Sequence, residues 1–123
     1  MLFRLSSILG ALAVILGAMG AHGKVAETLA ATGQLDHWKT ASQYHLAHAA
    51  VLLFVAFLAR ESKGLRFAWG SLTAGVIIFS GSLYLLAYTN TKWLGAITPI
   101  GGLLMIIGWA TLAVVGAKKT QDL

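Results

Sequence analysis

Residues 79–102, FSGSLYLLAYTNTKWLGAITPIGG, join two long apolar runs through a short polar bend at Asn90, Thr91, Lys92 and Trp93. Both runs carry hydroxyl and glycine residues that a helix filling space in lipid does not require. A membrane span needs about 20 mostly apolar residues, because a rise of ~1.5 Å per residue has to cover ~30 Å of hydrocarbon. The first run extends back from this bend to about Phe67 and the second forward to about Gly116, so each is long enough to cross. The bend is therefore a tight connection between two antiparallel spans, with Tyr84 and Tyr88 near one membrane surface and Trp69 near the other, as in aromatic belts. In the second run, Pro99 falls in the first turn, where a missing N–H costs little.

Working outward, the remaining sequence supplies two more such runs. The chain has 123 residues, of which 58% are hydrophobic and 11% charged, against roughly 45–50% and about 25% in soluble domains. A water-soluble domain of this size cannot hide that much apolar surface. The expected fold is all-α: a single membrane domain over residues 1–123, a four-helix bundle with spans at about 5–22, 41–59, 67–88 and 95–116. Between the first and second spans, residues 24–39 interleave Glu27, Thr28, Thr32, Gln34, Asp36 and His37 with Val25, Leu29, Leu35 and Trp38, the pattern of a short interfacial helix. Trp38 fits the headgroup level.

A basic start, an apolar stretch and small residues after it also describe a signal peptide. However, Gly10, Ala13, Gly17 and Gly20 share one helix face, and small residues let a neighbouring helix approach closely in lipid. Removing this run would also leave the other three spans with a poorer charge balance. The reading is a retained first span.

Charge sets the expected orientation. Arg4, Arg60, Lys63, Arg66, Lys118 and Lys119 fall on one side of a four-span arrangement, and Lys24, Lys39 and Lys92 on the other. Both termini are expected in the cytoplasm. The formal charge of +5 comes from residues scattered beside apolar runs, not from the clustered basic face of a nucleic-acid binder. Lipid headgroups are the expected partners of these charges, and no nucleic acid is. The absence of cysteine excludes disulfides, thiolate metal sites and a cysteine nucleophile.

Candidate chemistry rests on histidines and hydroxyls. His22, His37, His45 and His48 lie toward the outer side in this orientation, and His45 and His48, with Tyr44, share one face of the second span. His48 sits roughly 10 Å along that helix, deep enough that a charge is costly. Histidines there could bind a metal or relay protons; alternatively each is neutral and fixes packing by a hydrogen bond to a neighbouring helix. The second reading carries more weight. No cofactor is predicted, and His22, His45 and His48 are the only candidate metal ligands.

Ser80, Ser82, Tyr84 and Thr98 pose the same choice between a polar conduction path and helix packing. Gly75 and Ser82, and again Gly101 and Gly108, are seven apart, giving each of the last two spans a small or polar seam. No acidic residue lies within a span, and Ser80-Gly81-Ser82 lacks the flanking glycines of a nucleophile elbow. The chain is not read as an enzyme.

Several motifs together resemble one family. They are Gly-Ala-His-Gly at 20–23, Trp38-x-Thr40-Ala41-x-x-Tyr44-His45-x-x-His48, Phe79-Ser-Gly-Ser-Leu-Tyr84, Gly95-Ala-Ile-Thr-Pro-Ile-Gly-Gly102 and Gly108-Trp109. The chain is similar over nearly its whole length to the small membrane proteins of domain-of-unknown-function family 423, the transmembrane-protein-256-like family. The resemblance implies four spans in a bacterial cytoplasmic (inner) membrane, with relatives in eukaryotic organelle membranes, and it carries no established activity. It marks His22, Trp38, Thr40, Tyr44, His48, Ser80, Ser82, Tyr84, Thr98 and Pro99 as motif positions, with His45 less firmly included. The leading expectation is a small structural, accessory or assembly subunit acting through helix association, with itself or within a larger membrane complex. The alternative is a homo-oligomeric channel or carrier for protons or metal ions that uses the membrane-embedded histidines.

Overall fold

The computed structural model describes residues 1–122, and it is built of helices throughout. Four helices are long and apolar enough to cross a membrane: α1 (Leu2–Ala21), α3 (Leu35–Leu58), α4 (Lys63–Thr89) and α5 (Thr98–Gln121), the last preceded by the one-and-a-half-turn 3₁₀ segment Lys92–Ala96. The short helix α2 (Gly23–Ala31) lies between the first two.

Local sequence sets each junction. After α2, Gly33 adopts φ +71°, and Gln34 N–H donates to the Leu29 carbonyl while Gly33 N–H donates to that of Ala30. This is a glycine-terminated helix end of the Schellman type. Between α3 and α4, Ser62 caps α4 by accepting from Leu65 N–H at 3.3 Å, while the Arg66 guanidinium donates to the Ala59 and Arg60 carbonyls. Those carbonyls belong to the 3₁₀ turn Ala59–Glu61 that follows α3, and that of Ala59 also accepts from Ser62 N–H at 3.4 Å. α4 stops at Asn90 in the left-handed region, φ 54°, which asparagine tolerates better than most residues. Pro99 sits in the first turn of α5, as expected.

The polar stretch 24–39 divides differently from the sequence reading. Only its first part forms a separate helix; Leu35–Lys39 are the opening turns of α3, which therefore begins ahead of Ala41. Trp38 consequently belongs to a long helix and turns inward.

α3 and α4 form the middle pair of the bundle. α1 packs along α3, and α5 packs along α4. Met1 and Leu2 meet Arg60 and Arg66 at one end, where Gly64 also faces Val115 of α5. The N-terminus, the α3–α4 turn and the end of α5 thus share one end, bringing Arg4, Arg60, Lys63, Arg66, Lys118 and Lys119 together.

Glycines set the closest approach. A Cβ on Gly75 would stand 2.7 Å from the Met105 backbone nitrogen, one on Gly108 would stand 2.6 Å from Leu72 Cγ, and one on Gly101 would collide with the Phe79 backbone. The two seams read from the sequence therefore face each other, and α4 and α5 touch backbone to backbone. The larger core cluster, Leu52, Val55, Ala56, Leu65, Trp69, Leu72, Val76 and Met105 among others, fills the space between α3, α4 and α5 toward the basic end.

Candidate functional site

Polar groups at membrane depth are the natural place to look for function, because in lipid each must find a partner inside the protein. At the junction of α1, α3 and α4, four of the predicted side chains, Trp38, His45, Ser80 and Tyr84, are brought close. The Trp38 indole N–H donates to the Leu16 carbonyl of α1 at 2.8 Å, and its ring meets Tyr84 edge-on with centroids 4.7 Å apart. Tyr84 OH donates to Ser42 Oγ at 3.3 Å and lies 3.2 Å from His45 Nδ1. One turn away, Ser80 Oγ donates to the Ala41 carbonyl at 2.9 Å. His45 is only 5% exposed, and its Nε2 has no hydrogen-bond partner.

His48 forms a second centre, between α3 and α5. Its Nδ1 lies 2.8 Å from the Tyr44 carbonyl, which only accepts, so Nδ1 carries the proton. Its Nε2 accepts from Trp109 Nε1–H at 3.0 Å. Both ring nitrogens are used, and the ring is fixed as the neutral Nδ1–H tautomer. Tyr44, 44% exposed, stacks on His48 and packs against Phe79.

A third link joins α4 to α5. Ser82 Oγ and Thr98 Oγ1 are 2.6 Å apart, each also within reach of a carbonyl of its own helix or preceding turn, Phe79 and Leu94. Nearer the basic end, Ser71 Oγ donates to the Leu104 carbonyl at 2.7 Å.

The other candidates stand apart from these centres. His22 is exposed at the α1–α2 junction, Thr40 is half-buried, and Pro99 is exposed at the start of α5. His37 is exposed and pairs with Gln34, whose amide donates to Asn90 Oδ1 at 2.7 Å and ties the α2–α3 loop to the α4–α5 loop. Among the described residues, no three His, Asp or Glu side chains converge as a metal site would require.

Sequence reasoning passed over Ser6, Ser42, Ser71 and Trp109 as site residues. Trp69, read as a belt residue, is buried and donates its indole N–H to Ser6 Oγ at 2.9 Å. The available signal was that an indole inside a bundle needs an acceptor, and few side chains on facing helices offer one.

Four long apolar helices, packed through glycine seams, tied by hydrogen bonds at membrane depth and basic at one end, define a small multi-pass membrane protein. Its family follows from comparison: the chain belongs to the family described as "Protein of unknown function (DUF423)", whose pattern matches residues 16–102. It is 45% identical to the UPF0382 membrane protein YwdK of Bacillus subtilis, covering 93% of this chain and 94% of that protein. It is 39% identical to a UPF0382 membrane protein of Haemophilus influenzae, covering 97% and 94%. With the UPF0382 inner membrane protein YgdD of Escherichia coli it shares 35% identity, covering 94% and 88%. No solved structure matches the chain significantly. Neither the family description nor these names state an activity.

Proposed function

We propose that the protein is a small non-enzymatic subunit of the bacterial cytoplasmic membrane that acts by helix association, with copies of itself or within a larger membrane complex. The observation that carries this reading is where the intramembrane polar groups are spent. Trp38, Trp69, Ser71, Ser80, Ser82 and Trp109 each bind a group on a neighbouring helix. Side chains used this way lock the bundle and leave its outer surface as the part that meets other molecules.

That surface offers a seat for a partner helix. Between α3 and α5 runs an apolar groove of about 530 Å³, lined by Ala50, Val51, Phe54, Trp109, Leu112 and Gly116 among others. Small residues along a groove let another helix come close in lipid. The conduction alternative has less support, because His48, the deepest histidine, has both nitrogens engaged in packing. The basic end faces the cytoplasm in this proposal, by the positive-inside rule, with both termini there.

Native mass spectrometry of the protein released gently from its own membrane tests the reading. Masses of a homo-oligomer, or of this chain with a different membrane protein, are expected, and Ala50→Trp, which fills the groove, should lower their abundance. A monomer alone, with no partner recovered after crosslinking in cells, would sink it.

A further inference from the structure

At the basic end of the bundle, the wall between α1 and α3 is built from short side chains. Ala56, Ala59 and Arg60 follow the i, i+3, i+4 spacing of one face of α3 and its 3₁₀ extension, and they meet Met1, Leu2 and Phe3 of α1. The alanine methyls are too short to fill the gap. A pocket of about 430 Å³ remains, with Arg66 of α4 as its remaining wall. Ala59 is fully buried and Ala56 nearly so, whereas Met1 is 91% and Phe3 52% exposed, so the pocket has a buried floor and an open mouth. Ala56 lies one helical turn, roughly 6 Å, further into the span than Arg60. The pocket therefore reaches from the headgroup level, where the arginines flank the apolar runs, to the edge of the hydrocarbon.

Arg66 is already oriented by the fold. Its Nε–H donates to the Ala59 carbonyl at 3.3 Å and one Nη2–H to the Arg60 carbonyl at 2.9 Å. A guanidinium has five N–H donors, so three remain, on Nη1 and Nη2, and they meet no acceptor among the described residues. Those donors make a planar fork of the kind that grips two oxygens of a phosphate. Because folding has already fixed the side chain, little of its freedom is left to lose on binding. Arg60 brings a second guanidinium to the same pocket. Among the described residues no carboxylate lines it. In sequence this end carries six Lys and Arg residues against Glu61 and Asp122, so an entering anion meets net positive charge.

The walls decide which anion fits. A free phosphate gains nothing from Leu2, Phe3 and Ala56 and loses hydration against them. A phospholipid presents a phosphodiester and apolar chains together, and basic pockets between membrane helices bind anionic headgroups by this combination. We propose that the α1–α3 pocket holds the phosphodiester of an anionic phospholipid between Arg60 and Arg66, with its acyl chains passing Leu2, Phe3 and Ala56 into the bilayer. The headgroup adds no positive charge, as in phosphatidylglycerol; a choline ammonium would lie against two arginines, and the described lining offers it no carboxylate. This site uses a different face of α3 from the α3–α5 groove and does not depend on the association reading.

The test titrates the full chain with lipid in neutral detergent micelles and counts bound molecules by native mass spectrometry. In about 1 M ammonium acetate the screening length is about 3 Å, so charges that do not touch the lipid contribute little. The first dioleoyl phosphatidylglycerol should bind about tenfold or more tightly than the first dioleoyl phosphatidylcholine. Soluble glycerophosphoglycerol, the same headgroup without chains, should fail to displace it. Arg60 is exposed, and it holds Arg66 through its backbone carbonyl alone, so Arg60→Gln should fold. It should lower phosphatidylglycerol affinity about fivefold, the worth of one basic side chain at an anionic surface. Arg66→Lys keeps the charge but loses the planar fork, and it should weaken binding as well. Lys63→Gln removes the same charge from the same junction but outside the pocket, and its effect should stay below about twofold. Equal affinity for the two lipids, an equal loss in Arg60→Gln and Lys63→Gln, or displacement by glycerophosphoglycerol would each overturn the assignment.

Discussion

Trp109 Nε1 donates a hydrogen bond to His48 Nε2 over 3.0 Å, joining α5 to α3 across helices whose backbones stay apart. The bond works only because His48 Nδ1–H is held by the Tyr44 carbonyl, which turns the lone pair outward. Hydrogen bonds between membrane helices average about 0.6 kcal/mol and reach ~1.7 kcal/mol, because the separated helices also find partners. Trp109→Phe and His48→Phe should each destabilise the bundle, and the double variant should cost less than their sum by about 0.5–1.5 kcal/mol. A double-mutant cycle of unfolding in mixed micelles measures the coupling; strict additivity would mean that the two rings merely fill space.

Gly101 is the position least able to accept a side chain. Its Cβ would collide with the Phe79 backbone and stand 2.7 Å from the Gly75 carbonyl, and neither can move aside without separating α4 from α5. Overpacking a close contact costs about 1–3 kcal/mol, and the Ser82–Thr98 and Ser71–Leu104 bonds across the same interface would lengthen with it. Gly101→Ala should therefore lower the melting temperature clearly, whereas Gly70→Ala, with open space at its Cβ, should be neutral or slightly stabilising through helix propensity. Thermal melts of both variants decide this, and similar behaviour would refute the backbone contact.

How far the sequence could be read follows from these same residues. Run length and polarity were enough for four spans, and the seven-residue spacing of Gly75 with Ser82 and Gly101 with Gly108 identified seams that do meet. The aromatic residues were less legible. Trp69 and Tyr84 sit near span ends, where belt tryptophans and tyrosines sit too, and nothing local separates the two fates. What decides is an acceptor on another helix, Ser6 for Trp69 and Ser42 for Tyr84, and sequence periodicity does not give the relative rotation of two helices. Similarly, His45 and His48 looked equivalent at three-residue spacing. Only the packing of α5 gave His48 Nε2 a partner, Trp109, whereas His45 Nδ1 meets Tyr84 of α4.

Gly20 and Trp38 make the corresponding contact between α1 and α3. A Cβ at Gly20 would fall 2.6 Å from Trp38 Nε1, the atom that donates to the Leu16 carbonyl. Gly20→Ala should push the indole away, break that bond and destabilise the protein by about 1–3 kcal/mol. In a Trp38→Leu background the same substitution should cost less, because the obstructing ring is gone. Unfolding of the three variants and the unsubstituted protein measures the difference, and an equal cost in both backgrounds would exclude the contact.

Orientation is open to a direct check, because the chain has no cysteine of its own. Thr120 is exposed on the last turn of α5, and Thr32 is exposed just after α2, at the opposite end of the bundle. Six of the nine Lys and Arg residues gather at the Thr120 end, and an excess of positive charge holds loops on the cytoplasmic side. In intact spheroplasts, a membrane-impermeant maleimide should label Thr32→Cys and leave Thr120→Cys unlabelled until the membrane is opened. Neither substitution alters the charge bias itself. The reverse labelling pattern would place the termini outside, and with them the basic end that the proposed orientation puts in the cytoplasm.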